Sequence, residues 1–251
     1  LFREMIDNLV EKDTVTYSAI VSACEKSSEW KLASELFHVM GDSFVERNTI
    51  TYSALVSAYE KGGQWVRALQ ILREMAASWV ETDTIVYNSA VSACEKARQW
   101  AWAFQLFREM ADNHVERDTT TYNAVISACE KASEWESALE LFRMMADSLV
   151  ERHTITYGAV VSAFEKGGEW VRAIKLLCDM AAGDVERNAI TYNAAVSACE
   201  KGGEWNWALQ LCRQMAESRV PRGINLYNAA VSACEKGGAW AQVSLLLRMM
   251  A

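Results

Sequence analysis

Proline occurs once in 251 residues, histidine three times, and no Cys-x-x-Cys pair occurs at all. A single proline leaves the backbone free to run in uninterrupted helices. Seven cysteines, an odd number without paired spacing, and three scattered histidines argue against a disulfide framework and against a metal centre. No apolar run approaches the roughly 18 residues of a membrane-spanning helix, so no membrane partner is expected. Positive charge is also short: 25 Lys and Arg stand against 33 Asp and Glu, giving a formal net charge of −8 and a pI near 5.1. That balance is unlike a strongly basic nucleic-acid or membrane-surface protein. There is no H-x-E with C-x-x-C, no nucleophile beside a base and no glycine-rich phosphate loop, so neither catalysis nor a cofactor is expected. The chain opens Leu1-Phe2-Arg3-Glu4-Met5, without an initiator methionine or a targeting segment. The expectation is a cut or processed start that gives no localisation.

What is present is a period. Tyrosines stand at 17, 52, 87, 122, 157, 192 and 227, every 35 residues, and tryptophans at 30, 65, 100, 135, 170, 205 and 240 keep the same interval. Methionines repeat it from Met5 to Met250. A fixed period of about 20 to 50 residues marks stacked supersecondary units, each too small to fold alone. Complete units are expected at 14–48, 49–83, 84–118, 119–153, 154–188 and 189–223, with partial units at 1–13 and 224–251, the whole forming one array. Both ends stop inside or just past a second helix, which suggests an excerpt of a longer array, or one that docks further segments.

Within the unit 84–118, Tyr87, Ala90, Val91 and Cys94 fall at i, i+3, i+4 and i+7, and Trp100, Ala103, Phe104, Phe107 and Met110 repeat that spacing. Two helices are therefore expected per unit. The turn between them is Gly-Gly in four copies, where glycine permits the positive φ that ends a helix. A valine, Val115 here, is expected to fold back on the second helix and set the angle of the next hairpin. Tyr87 and Trp100, each opening an apolar stripe, are expected in the core. Cys24, Cys94, Cys129, Cys199 and Cys234 share one phase with Tyr59 and Phe164, which marks a packing position. Trp79, Trp102 and Trp207 break phase and are expected to be partly exposed.

Opposite the apolar face, at about 100° per residue, lie Ile85, Asn88, Ser92, Glu95 and Lys96. Serine fills the Ser92 phase in every copy, more as a tolerated small residue than as a contact. Glu-Lys follows from Glu25-Lys26 to Glu235-Lys236, so the two charges cancel along the stripe. The residues that vary are those just after the tyrosine, Ser18, Ser53, Asn88, Asn123, Gly158, Asn193 and Asn228, and those ending each unit, Asn48, Asp83, Asp118, His153, Asn188 and Gly223. The latter sit where a helix N-cap belongs, a role worth about 1 kcal/mol. A repeated core with one varied polar pair per unit suits a reader of a linear polymer.

The 35-residue period, the Thr-Tyr-Asn opening, the Cys-Glu-Lys-Gly-Gly turn and the Ala-Leu-x-Leu-Phe-x-x-Met second helix resemble the pentatricopeptide repeat family over essentially the whole chain. The resemblance implies an all-α, right-handed α-solenoid superhelix of stacked helix-turn-helix hairpins that binds single-stranded RNA at about one base per repeat. It implies that the residue after the tyrosine and the last residue of the unit select the base. Val15, Ile50, Ile85, Thr120, Ile155, Ile190 and Asn225 would stack on bases, and Lys26, Lys61, Lys96, Lys131, Lys166, Lys201 and Lys236 would approach phosphates. Ser18 with Asn48 resembles an adenine reader, Ser53 with Asp83 a guanine reader and Asn88 with Asp118 a uracil reader. Asn123 with His153 points to a pyrimidine, Gly158 with Asn188 to adenine, and Asn193 with Gly223 to a pyrimidine. The implied register, 5′ to 3′ along the chain, is A-G-U-pyrimidine-A-pyrimidine. The family's setting, RNA processing, stabilisation or translation in plastids or mitochondria, comes from the resemblance alone. The competing class is a protein-binding scaffold of tetratricopeptide type, disfavoured by that family's 34-residue period.

Overall fold

The structure is a computed structural model and describes residues 13–218, 220, 221 and 223–243. Met5, Met250 and most of the partial unit 1–13 lie outside the described residues. Those described hold thirteen helices seen from end to end and no strand. They are α1 (Thr14–Lys26), α2 (Trp30–Asp42), α3 (Thr49–Lys61), α4 (Trp65–Ala77), α5 (Thr84–Lys96), α6 (Trp100–Asp112) and α7 (Thr119–Ala132). There follow α8 (Trp135–Asp147), α9 (Thr154–Gly167), α10 (Trp170–Ala182), α11 (Ala189–Gly202), α12 (Trp205–Glu217) and α13 (Ile224–Lys236). The fold is all-α, an array of helix-turn-helix hairpins. The chain divides into two compact units between Ala124 and Val125. In the first, α1 packs on α2 and α3, and α3 on α4 and α5; in the second, α9 packs on α10 and α11, and α11 on α12 and α13.

The phased tyrosines are core, as their spacing demands. Phe37 meets Tyr52 edge-on with ring centroids 5.1 Å apart, and Phe107–Tyr122 and Phe142–Tyr157 repeat the contact at 4.8 and 4.9 Å. Each joins a second helix to the first helix of the next hairpin. The phased cysteines are buried, and burial pushes the thiols of Cys94, Cys129 and Cys199 up to about 12, so they pack rather than react. Small residues let first helices approach: Ala93 is buried, and Ser57 Oγ lies 2.9 Å from Ser89 Oγ.

The tryptophans correct the expectation for Trp100. The phased ones from Trp30 to Trp205 are half-buried and Trp240 is exposed, because each opens a second helix at the edge of the stack. Their packing explains the Gly-Gly turn. A Cβ at Gly62, Gly167, Gly202 or Gly237 would stand 2.3, 2.3, 2.6 or 2.2 Å from Cδ1 of the preceding hairpin's Trp30, Trp135, Trp170 or Trp205. The first glycine thus yields room to an indole. The second, such as Gly168 at φ 75°, supplies the left-handed residue. Where Ala97 replaces the first glycine, Trp65 lies 6.4 Å from Trp102, which accounts for one of the out-of-phase tryptophans. Trp79 is almost wholly exposed.

Second helices end in the same way without glycine. Phe44, Trp79, His114, Leu149 and Asp184 all take positive φ, at 54–56°. The backbone N–H of the next residue then returns to the phased methionine carbonyl, as in Val45→Met40 at 3.0 Å and Val115→Met110 at 2.8 Å. This is the doubled bond of a Schellman cap, and it fixes how each hairpin leads into the next. The arginine two residues beyond the valine lies over an aromatic ring: Arg47 over Phe37 at 4.1 Å, Arg117 over Phe107 at 4.7 Å and Arg152 over Phe142 at 4.6 Å. These cations are thereby engaged at the second helices.

Candidate functional site

The first helices of five hairpins start on a side-chain cap. Asp13, Asn48, Asp83, Asp118 and Asn188 each accept the backbone N–H three residues on, at 2.8–3.0 Å. These residues are caps, and in Asn48 and Asp118 the capping side chain also lies beside the residue after the preceding tyrosine. Asn88 Nδ2 donates to Asp118 Oδ1 at 3.3 Å, bringing together two residues 30 apart in sequence. Thr121 completes the group: its hydroxyl lies 2.6 Å from Asn88 Oδ1 and 2.9 Å from Asp118 Oδ1. Burial would raise the Asp118 carboxyl, but the bonds from the Thr121 amide and from Asn88, with the Thr121 hydroxyl dipole close by, hold it below its ordinary value. All of the bonds converge on Oδ1.

The other pairs differ. Ser18 Oγ lies 3.4 Å from Asn48 Oδ1 and 2.9 Å from Thr51 Oγ1, and it donates to Thr14 O at 2.7 Å. Ser53 turns back to Thr49 O at 2.7 Å, while Asp83 caps Val86, and no bond joins the two. Gly158 offers no polar group, and Thr191 Oγ1 turns to the Asn188 carbonyl at 2.9 Å. Gly223 brings no side chain to Asn193, whose Oδ1 is buried without a partner. His153 makes no cap, but Nδ1 lies 3.7 Å from Glu151 Oε1. Asn123 belongs to the first unit and His153 to the second. Asn228 is exposed.

Beside this row runs a second one. Val15, Ile50, Ile85, Ile155 and Ile190 are 61–73% exposed although each sits in the first turn of a well-packed helix. Thr120 and Asn225 occupy the same phase and are also exposed. Single exposed apolar residues are ordinary, but one at a fixed phase in hairpin after hairpin forms a stripe within each unit.

The lysines and glutamates of the first helices pair across hairpins rather than within them. Lys61 reaches Glu25 at 2.6 Å, Lys96 Glu60 at 2.6 Å, Lys166 Glu130 at 2.5 Å, Lys201 Glu165 at 2.6 Å and Lys236 Glu200 at 3.0 Å. The glutamates lie deeper than the lysines, for instance 15% against 50% side-chain exposure for Glu60 and Lys96. The serine of the stripe is more than a tolerated small residue. Ser92 donates to Glu60 at 3.0 Å and Ser232 to Glu200 at 2.8 Å, each steadying the carboxylate that holds the lysine.

Two sets of contacts lay outside the sequence-derived sites. Thr14, Thr49, Thr84 and Thr154 donate to the carbonyls of Glu46, Glu81, Glu116 and Glu186 at 3.0–3.2 Å, tying each first helix to the linker beyond it. Thr51 and Thr121 join the reader pairs. The recurring Thr-x-Thr-Tyr was the available signal for both. A separate hollow, bordered by Phe142, Arg152, Phe164 and Arg172, is built mainly from second helices. No cluster able to hold a metal occurs among the described residues, and no described helix is long and apolar enough to cross a membrane.

Comparison with known proteins places this geometry. A family model for pentatricopeptide repeat-containing protein matches residues 15–145, a pentatricopeptide repeat domain model matches 175–236, and a PPR repeat model matches 155–184. No curated protein matches the sequence. Among solved structures, PPR10 in complex with an 18-nt psaJ RNA element is 17% identical over 99% of this chain, with a TM-score of 0.59. PPR10 from maize is 19% identical over 98% of this chain, with a TM-score of 0.52. This chain spans 41% and 45% of those two chains. The PPR domain of Arabidopsis thaliana protein-only RNase P 1, in complex with tRNA, is 14% identical, with a TM-score of 0.63; the match covers 72% of this chain and 95% of that domain. At such identities the likeness is one of fold. With a single family model matching more than half its length, and two more matching beyond it, the chain belongs to the pentatricopeptide repeat family.

Proposed function

We propose that this chain binds single-stranded RNA at about one base per hairpin, in RNA processing, stabilisation or translation. The observation that carries the proposal is the exposed branched residue of the first turn, set one turn from a polar pair that varies. Ile85 stands beside Asn88 and Asp118, and Ile50 beside Ser53 and Asp83. A flat base needs an apolar face to stack on and polar groups at its edge, and each hairpin offers one of each. The RNA held by PPR10 and the tRNA held by the RNase P domain support the same polymer class.

On this proposal Ser18 with Asn48 reads adenine, Ser53 with Asp83 guanine and Asn88 with Asp118 uracil, followed by pyrimidine, adenine and pyrimidine. Val15, Ile50, Ile85, Thr120, Ile155, Ile190 and Asn225 stack on the bases. The lysines from Lys26 to Lys236 approach the phosphates. The tyrosine period runs through residues 124 and 125 without a slip, which supports one array over residues 1–251. The role is binding rather than catalysis. Asn88→Thr tests the assignment: in a binding selection its third-register preference moves from uracil to guanine. An unchanged uracil preference would overturn the role of Asn88.

One observation favours a protein-binding platform instead. Lys61, Lys96, Lys166, Lys201 and Lys236 are each held by a carboxylate, and Phe44, Trp79 and Leu149 expose nearly their whole side chains. Filter binding to single-stranded RNA at low and moderate salt separates the two, since a platform gives no retention at either.

A further inference from the structure

Thr51 and Thr121, each the third residue of a first helix, reach back to the reader pair of the hairpin before. We propose that the residue at this position, Thr121 for the pair Asn88–Asp118, is a specificity-positioning residue that decides which atoms of the pair a base can meet. The inference rests on the proposed RNA binding. A carboxylate accepts hydrogen bonds and cannot donate, so the Asn88 amide must turn its nitrogen toward Asp118 Oδ1, 3.3 Å away. Its carbonyl then points at the Thr121 hydroxyl, 2.6 Å away, and is consumed there. What remains is one N–H on Asn88 and the second carboxylate oxygen of Asp118. A donor beside an acceptor complements the O4 and N3–H of uracil. Cytosine presents the reverse pattern, an N4 donor and an N3 acceptor, so a fixed amide separates the two pyrimidines.

The same position works differently in the first pair. The Thr51 hydroxyl lies 2.7 Å from Asn48 Oδ1 and 2.9 Å from Ser18 Oγ. The carbonyl of Asn48 is again taken up, which leaves its amide N–H groups as donors, suited to the ring-nitrogen acceptor of adenine. Where the hydroxyl is missing, the lock is missing. Leu226 takes the position in the hairpin after Asn193, Gly223 adds no side chain, and Asn193 Oδ1 is left buried with no partner. Val86 takes it after Ser53, and Ser53 and Asp83 are not joined. Where Gly158 removes the first reader, Thr191 turns to a backbone carbonyl instead. The hydroxyl engages the readers only where both readers are polar and within reach.

Val86 also shows that valine is tolerated here, since its N–H still reaches the Asp83 cap at 2.9 Å. Thr121→Val therefore removes the hydroxyl and keeps the helix cap. Binding of the whole chain to RNAs differing only in the third register should show uracil-over-cytosine preference lowered by about five- to tenfold in Thr121→Val, the effect of one lost hydrogen bond. Thr121→Ser restores the preference, and preferences in the first and second registers stay unchanged. The converse variant, Gly223→Asp with Leu226→Thr, builds the same group around Asn193, and no atom stands within 4 Å of a Cβ at Gly223. It should bring a uracil preference to the sixth register, while thermal melts check that each variant folds. An undiminished preference in Thr121→Val, or no gain in the double variant, overturns the positioning role and leaves RNA binding standing. A wild-type chain without third-register preference overturns both.

Discussion

Replacing Glu25, Glu60, Glu130, Glu165 and Glu200 by glutamine raises the affinity for single-stranded RNA by about ten- to hundredfold at low salt and steepens its salt dependence. The ground is the ladder of ion pairs between successive hairpins. Each of these carboxylates lies under a lysine of the next hairpin, at 2.5–3.0 Å. A phosphate that approaches such a lysine meets a carboxylate just behind it. At about 6–8 Å in water that repulsion is roughly 0.5 kcal/mol each, and five of them sum to about 2.5 kcal/mol before screening. The formal net charge of −8 also rises by five. Glutamine keeps an oxygen for Ser92 and Ser232, so those hydroxyls stay partnered. The pairs are partly exposed and worth about 0.2–1 kcal/mol each, so the fold tolerates their loss. Seven free lysines would give a slope of log affinity against log salt near about −5. The wild-type slope is expected to be clearly shallower, and the quintuple variant to move toward that limit. An unchanged slope would show that the lysines do not meet phosphate.

Gly167→Ala is expected to destabilise the chain, although alanine is the better helix former at this last helical position. Propensity favours the substitution by about 0.8–1.0 kcal/mol at most. Against it, the new Cβ stands 2.3 Å from Trp135 Cδ1 and 2.9 Å from Cγ, near the stem of the indole, where the ring cannot swing clear. Overpacking of this kind costs about 1–3 kcal/mol, so the clash wins. Trp135 is also held on its other sides, 6.1 Å from Phe164 and 4.4 Å below Arg172. A double-mutant cycle checks the cause by denaturant melts. Trp135→Ala removes the clash, so Gly167→Ala made in that background should stabilise or do nothing. If Gly167→Ala destabilises equally with and without Trp135, the indole is not the reason for the glycine.

How much of this was legible in the sequence follows from which contacts repeat within one hairpin. The helices, the caps and the buried tyrosines each depend on a few neighbouring residues, so the 35-residue period exposed them. The joining of Asn88 to Asp118 across 30 residues was also legible, because the two vary together along the chain. Contacts between hairpins were not. Lys96 stands next to Glu95 in sequence, and only the stack shows it reaching Glu60 of the hairpin before. Trp100 opens an apolar stripe, which suggested a core position, yet the start of a second helix lies at the edge of the stack. The first glycine of each turn was read as a helix stop, whereas it makes room for an indole 32 residues earlier. Thr121 reads as part of a repeated Thr-x-Thr-Tyr, and its link to Asn88 emerges only when the next hairpin is in place.

The most direct test of base reading is selection of the unmodified chain against a randomised single-stranded RNA pool. Bound sequences carrying adenine, guanine and uracil in consecutive positions, with weaker choice in the three that follow, are the predicted result. Retained RNA with no preference in those first three positions would contradict it.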